Sequence, residues 1–323
     1  MWVLSTNEEE SVSDLKLFRL QGGVATEVAG SSIALERSLQ TLVEQNMDAL
    51  FGVRFLASEY STGVKHGGRI DSLGLDENSS PVIFEYKRSI NENVINQGLF
   101  YLDWLLDHQA EFQLLVQERL GIDEAQRIDW RNPRLVCVAN GFTRYDQYAV
   151  QQINRSIELV RYRDFEGELL ALELVTATKT EQSTVPGTPR GQGGSARGGR
   201  RSPASERTVA EALAQAPQDL QGLYSELEAY CEGLGDDVTK KTLKFYFAFR
   251  RLKNFACVEV HPQSGNLLVY LKVDPASIDL DEGFSRDVRS IGHYGTGDLE
   301  LRVKDRADLE KAYPLILRSY EAS

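Results

Sequence analysis

Between Lys179 and Arg207 the chain reads KTEQSTVPGTPRGQGGSARGGRRSPASER, with six glycines, three prolines and no aromatic residue. Such a stretch cannot bury enough apolar surface to offset the entropy of ordering it, so it must separate folding units and belong to neither. The chain is therefore expected to hold one domain over residues 1–178, a Gly/Arg/Pro-rich flexible linker over 179–207, and a smaller domain over 208–323. Two uses are open to the linker: a solubilising tether, the commoner role of such segments, or loose contact of Arg190, Arg197, Arg200 and Arg201 with a phosphate backbone.

Composition narrows the class. Hydrophobic residues make up 41% and charged residues 26% of the 323, values of ordinary globular domains. No run approaches the roughly 20 apolar residues of a membrane span, and the first ten residues are acidic where a secretory signal would be basic and then apolar. A cytoplasmic protein that does not engage the membrane is expected. Cys137, Cys231 and Cys257 stand far apart without metal-type spacing and read as core residues. The net charge of −12 argues against a broad basic surface, so any contact with nucleic acid must rest on local groups.

The first domain alternates helical and strand periods. Leu35, Leu39, Leu42, Val43, Met47 and Leu50 recur at helical spacing and predict a helix over 32–50. Strands are expected over 53–60, 68–75 and 81–87, the last two closing as a hairpin over the polar cluster Asp76–Ser80. Ser89 with Glu92 forms a capping box for a helix running to His108. Residues 134–139 (RLVCVA) read as a strand buried on both faces. A helix over 143–154 and strands over 157–162 and 169–175 complete the domain. The class is α/β.

The hairpin carries the chemistry. Asp71 and Glu85 lie seven residues to either side of Asn78, so closure about Asn78 sets them opposite one another. Lys87, two residues beyond Glu85, projects to the same face. Charges grouped on an otherwise apolar strand cost several kcal/mol unless an ion compensates. Two carboxylates and a backbone carbonyl suit Mg²⁺ or Mn²⁺, with ligand oxygens brought within roughly 4 Å around one ion. A metal-assisted attack of water on a phosphodiester follows, with Lys87 at the water. Glu36, at the edge of the first helix's apolar stripe, is a further inward acid. Gln97 and Tyr101, four apart, share a helical face that can meet the metal shell or a phosphate. Taken singly, these features have ordinary readings as cross-strand ion pairs and core residues; their joint occurrence favours the site.

Glu36, the run GRID ending at Asp71, the tripeptide Glu85-Tyr86-Lys87, and Gln97 with Tyr101 resemble the PD-(D/E)XK nuclease superfamily. The nearest likeness is to its archaeal and actinobacterial mismatch-cleaving endonucleases, over about residues 30–175. Ile70 stands where that superfamily has a proline before its first acid. The resemblance implies a restriction-endonuclease-like helix-strand-strand-strand-helix-strand core. It also implies Asp71, Glu85 and the Tyr86 carbonyl as metal ligands supported by Glu36, Lys87 at the water, and Gln97 with Tyr101 shaping the site. The whole chain also resembles a widespread group of bacterial two-domain proteins, some labelled predicted transport proteins. Transport finds no support in a chain without a membrane span or a Walker-type loop.

The second domain is expected to be a small α+β unit: a helix from Thr208 broken at Pro217, extended segments within 243–260 and over 267–273, and a helix over 308–320. Aromatics interleaved with Arg250, Arg251 and Lys253 either pack a sheet or stack bases. The loop at 293–298 is glycine-rich but lacks a phosphate-loop lysine and reads as a hairpin turn. The histidines, His66, His108, His261 and His293, form no catalytic motif, although His66 lies in a basic loop beside the hairpin that is either solvated or touches phosphate. The function expected is a Mg²⁺-dependent endonuclease hydrolysing phosphodiester bonds, DNA its substrate and partner, with the second domain supplying substrate choice or a protein contact. The alternative is a catalytically silent nuclease-fold scaffold that binds nucleic acid or a protein partner.

Overall fold

A computed structural model describes residues 15–33, 36–87, 94–178 and 207–323, the side chains of residues 64 and 65 excepted. The predicted capping box at Ser89 and Glu92, and the predicted linker up to residue 206, lie outside the described residues.

A small antiparallel pair, β1 (Leu17–Gln21) and β2 (Val24–Val28), and the short β3 (Gly30–Ser31) precede the core. The predicted first helix is realised as α1 (Glu36–Gln45) and α2 (Met47–Phe51), parted at Asn46 and closed by Gly52 in the left-handed conformation. Then come β4 (Val53–Ser61), the short α3 (Gly63–His66), β5 (Arg69–Asp76) and β6 (Pro81–Lys87). Three helices follow, α4 (Val94–Asp107), α5 (Gln109–Leu120) and α6 (Ile122–Gln126), then β7 (Arg134–Ala139), α7 (Arg144–Gln151), β8 (Ser156–Phe165) and β9 (Leu169–Ala177). The order helix, three strands, helix, strand is the one expected.

These strands make a mixed sheet in the order β3-β8-β7-β6-β5-β4, with β9 also paired to β8. Neighbours are antiparallel from β4 to β6 and parallel from β6 to β8. Both faces of the central strands are covered. Leu39, Val43 and Met47 of α1 and α2 pack on Val82, Phe84, Val136 and Val138, while Leu102 and Leu105 of α4 pack in the cluster of Ile83, Leu135 and Cys137 on the other side. Burial on two faces is why residues 81–84 of β6 and 135–139 of β7 read as unbroken apolar runs.

The β5–β6 turn fixes the register. Asp76 Oδ1 accepts from the N–H groups of Asn78 and Ser80 (2.9 and 2.8 Å), the aspartate turn chemistry that the polar cluster signals. Pairing runs from Leu75 opposite Pro81 to Ser72 opposite Phe84, so the hairpin is centred on Asn78 as predicted.

The C-terminal region has its own sheet. Helices α8 (Val209–Ala214) and α9 (Gln218–Glu232) part at Pro217 and lead into β10 (Thr239–Thr242), β11 (Phe247–Arg250), β12 (Asn254–His261) and β13 (Asn266–Leu271). Strands β14 (Ser285–Asp287) and β15 (Leu299–Val303) and helix α10 (Arg306–Glu321) complete it. The sheet is antiparallel, ordered β10-β11-β12-β13-β15-β14, and the helices share one core with it through Leu223, Leu227, Leu309 and Ile316. The loop predicted as a hairpin turn lies within the β14–β15 connection.

The two sheets meet at the β5–β6 turn. Asn78 Oδ1 accepts from Asn254 Nδ2 (2.8 Å) and the Tyr246 hydroxyl (3.0 Å), and Glu77 accepts from the Asn254 N–H (2.9 Å) and pairs with Lys272. Behind the turn, Arg134 donates to Asp76 (2.9 Å) and through two nitrogens to Glu158 (2.9 and 2.8 Å), and Arg250 reaches Glu158 from the second sheet (3.2 Å). All four are buried, Glu158 most exposed at 5%. Burial alone would raise the Glu158 carboxyl, but Arg134 and Arg250 override it and hold it at about 2.

Of the two readings open for the aromatics and cations of this region, packing of a sheet is the one the fold shows. Phe247, Phe249 and Phe255 are buried, Arg250 is spent on Glu158, Arg251 on Asp237 (2.6 Å), and Lys253 donates to the Ala49 carbonyl (3.0 Å). The aromatics pack the sheet, Arg250 and Lys253 tie it to β8 and α2, and Arg251 is held within its own region.

Candidate active site

Alternation along β6 puts Ile83, Glu85 and Lys87 on the α4 side, and alternation along β5 puts Asp71 there with Leu73 and Leu75. Asp71 lies one step past the last ladder pair, Ser72 with Phe84. There the acids bond to each other's strands. Asp71 Oδ2 accepts from the Tyr86 N–H (2.9 Å), and Glu85 Oε1 accepts from the Asp71 N–H (3.3 Å). The two carboxylates thus stand face to face at the end of the sheet away from the Asn78 turn, Glu85 lying four residues, about 13 Å, along β6 from Pro81.

Glu85 is fully buried and its second oxygen, Oε2, has no hydrogen-bond partner among the described residues. Burial first, and then the Asp71 charge, push the Glu85 carboxyl up to about 9; the Asp71 N–H and Lys87 work in the opposite direction. Asp71 is raised to about 6, by burial first, with the Tyr86 N–H and Lys87 opposing. Without a cation, the pair holds at least one proton at neutral pH.

Glu36 does not join the two acids directly. It accepts from Lys87 Nζ (3.2 Å), so it places the ammonium. Gln97 donates to the Tyr101 hydroxyl (3.5 Å), which accepts from the Arg69 N–H (3.2 Å). These two hold the strand that leads to Asp71. The Tyr101 ring lies so close to Gly68 that a Cβ there would come within 2.6 Å of it, which is why a glycine opens the GRID run.

One contributor escaped the sequence reading. Gln40, buried on α1, donates to the Asp71 carbonyl (2.8 Å), to Glu44 (3.0 Å) and to Ser58 (3.2 Å), and Glu44 accepts from Ser72 (2.6 Å). Glu36, Gln40 and Glu44 recur every four residues, a polar stripe beside the apolar one that could have marked them as a set.

The donor set suits a divalent cation. An orphaned buried carboxylate oxygen beside a second carboxylate is the arrangement that a positive ion relieves. Among the described residues, no three His, Cys, Asp or Glu side chains gather as a metal-holding group. An ion at this place would take its protein ligands from Asp71, Glu85 and backbone, and complete its shell with water and substrate oxygen, as Mg²⁺ does.

A consequence for pH follows. An acid whose pKa is raised on folding contributes stability that is complete below its unfolded value and lost as pH rises through the folded one. For Glu85 in chelator this window runs from about 4.5 to about 9. Wild type should therefore lose thermal stability relative to Glu85→Gln as pH climbs from 5 to 9, measured as the gap between their melting midpoints. A constant gap would show that Glu85 does not hold the proton.

Residues 209–323 match a family described as a domain of unknown function, DUF5655. An uncharacterised protein of Haemophilus influenzae is 27% identical over 309 residues, which cover 94% of this chain and 98% of that protein. Among solved structures, a repair endonuclease from Pyrococcus abyssi is similar over 41% of this chain and 50% of its own, at 18% identity and a TM-score of 0.28. The EndoMS–dsDNA2 complex is similar over 41% of this chain and 47% of its own, at 20% identity and a TM-score of 0.25. The chain thus spans about half the length of the solved structures it matches. Among the described residues no helix is long and apolar enough to cross a membrane.

Proposed function

We propose that this chain is a metal-dependent nuclease that hydrolyses phosphodiester bonds, with DNA as its substrate. The observation that carries the reading is the meeting of Asp71 and Glu85 across the β5–β6 end, with one Glu85 oxygen buried and unsatisfied. Lys87 stands on the same strand face. The sequence resemblance of these residues to the PD-(D/E)XK nucleases supports the same assignment.

Asp71, Glu85 and the Tyr86 carbonyl would hold the metal. Bound there, Mg²⁺ or Mn²⁺ supplies Lewis-acid stabilisation of the charge that builds on the phosphate. The chain's own groups do the rest. Lys87 orients the attacking water and manages its proton, with Glu36 placing its amine. Gln40 fixes the backbone of Asp71 from α1, and Gln97 with Tyr101 fixes that of Arg69, two residues before it, from α4. These three are positioning residues, as is Glu36.

Metal binding tests the reading without any substrate. Titration calorimetry with Mn²⁺ should give a binding isotherm for wild type at pH 8 with release of protons, because the ion displaces the proton held by the Asp71–Glu85 pair. Asp71→Asn and Glu85→Gln should each weaken binding at least tenfold. No heat in wild type, with DNA present or absent, would return the chain to the silent-scaffold alternative.

A further inference from the structure

The end of the sheet that carries Asp71 and Glu85 continues past β6. In the parallel pairing Lys87 stands opposite Ala139 of β7, and Ala139 opposite Arg161 of β8. The chain leaves β7 there and reaches Thr143, the N-cap of α7, four residues later. Helix α7 covers the same side of the sheet as the carboxylate pair, because its Val150 shares a buried cluster with Cys137, Ala139, Leu159 and the α4 residue Leu102. Its first turn therefore stands at the carboxylate end.

That turn presents rings to solvent. Tyr145 and Tyr148, three apart and so on one helical face, are 70% and 66% exposed. Arg144 lies over the Tyr145 ring, 5.0 Å from its centroid, and donates to the Tyr145 hydroxyl (3.1 Å). The one acid of α7, Asp146, is turned to the cap, where it accepts from the Thr143 N–H and hydroxyl (2.8 Å each). Residues 140–155 thus hold a single engaged acid against Arg144 and Arg155, in a chain with 48 Asp and Glu to 36 Lys and Arg. Arg163 adds a cation on this side of β8, since alternation from Leu159 through Arg161 keeps it there. Arg161 is held by Glu173 (2.7 Å), whereas Arg163 makes no ion pair among the described residues.

Two such rings offer on the order of 300 Å². A stable protein interface needs about 800 Å² from each side, so the pair is small for a protein partner but ample for one or two bases. The bases of a duplex hide their faces in the stack, and only an unpaired strand can lay them on a side chain. We propose that Tyr145 and Tyr148 form a stacking platform for unpaired bases of the DNA strand whose phosphate lies at Asp71 and Glu85, with Arg163 meeting a phosphate of that strand. Tyr145 is six residues, at most about 20 Å of chain, from Ala139, within reach of a few nucleotides. The placement beside a scissile phosphate rests on the proposed nuclease reading; the base contact rests on α7 itself.

The test is equilibrium binding in EDTA, so that neither metal nor cleavage enters. Fluorescence anisotropy would compare a labelled single-stranded oligothymidylate with an abasic strand of the same length, which keeps the phosphates and lacks the bases. Wild type should bind the thymidylate at least tenfold tighter, the scale of one or two stacked bases. Tyr145→Ala combined with Tyr148→Ala, at two exposed positions, should bring the thymidylate down to the affinity of the abasic strand, and the corresponding pair of Phe substitutions should keep the preference. Arg163→Gln should weaken both strands alike and lower the salt slope by about one. Equal binding of the two strands by wild type, no binding of either, or a preference indifferent to the alanine pair would overturn the platform. So would a wild-type dimer in sedimentation velocity that the alanine pair dissolves while no base preference exists, because the rings would then cover a second copy. A base preference in a protein that cuts nothing with Mg²⁺ would sink the nuclease reading and leave the platform standing; cleavage without a base preference would do the reverse.

Discussion

Glu158→Ala is expected to cost about 3–5 kcal/mol of folding stability, the largest loss of any single substitution considered, because it strands buried positive charge. Arg134 would retain Asp76 and Arg250 would retain the Leu252 carbonyl (2.6 Å), but three charge-assisted bonds to Glu158 vanish from a site that water does not reach. Lys241 lies in the same cluster, its amine lowered to about 7 by burial first and then by Arg250 and Arg134, and as a group that can only be neutral or positive it offers the stranded arginines no counter-charge. Since Glu158 belongs to β8 and Arg250 to β11, the loss falls on the joint between the two sheets. Urea denaturation should show a lower midpoint for Glu158→Ala and a smaller drop for Glu158→Gln, which keeps an acceptor. A cost under about 1 kcal/mol for the alanine variant would mean that the network is solvated and holds nothing together.

The second large effect is on catalysis. Lys87→Met should lower the rate of DNA cleavage by about 10² to 10⁴, the range that a positioned proton-transfer group contributes. The side chain is half-buried and its loss leaves Glu36, which is partly exposed, to solvent, so the melting midpoint should move little. Glu36→Gln should cost far less than Lys87→Met, because Glu36 touches the ammonium and not the carboxylate pair, and its effect should appear as a shifted pH–rate profile. Equal losses in the two variants would place Glu36 among the groups that meet substrate or metal.

Much of this was legible in the residues. The symmetry of Asp71 and Glu85 about Asn78 survives as the observed register because an aspartate turn fixes where the hairpin folds back, and a period of two then fixes every face. The buried strand at 134–139 and the break at Pro217 follow from equally local rules. What the sequence did not disclose is tertiary. Helices α5 and α6 have no counterpart in the reading; α5 buries only Phe112 and Val116 and shows no clear apolar stripe. The β1–β2 pair is exposed almost throughout, so it carries no core pattern to detect. Glu36 reads from helical spacing as an inward acid, yet whether it meets a carboxylate or Lys87 depends on how far α1 slides along the sheet, which no periodicity encodes. Arg250 looks like a base-binding cation until β11 is placed against Glu158.

The central claim is that the Asp71–Glu85 pair, loaded with a divalent ion, cuts phosphodiester bonds. The most direct measurement incubates the purified full chain with duplex, mismatched, branched and single-stranded DNA in Mg²⁺, Mn²⁺ or EDTA, alongside Asp71→Ala and Glu85→Ala verified as folded by circular dichroism. The account predicts cleavage of at least one substrate by wild type with either metal, none in EDTA, and none by either variant. Cleavage that persists in folded Asp71→Ala or Glu85→Ala, or a wild type that cuts no substrate with either metal, would contradict it.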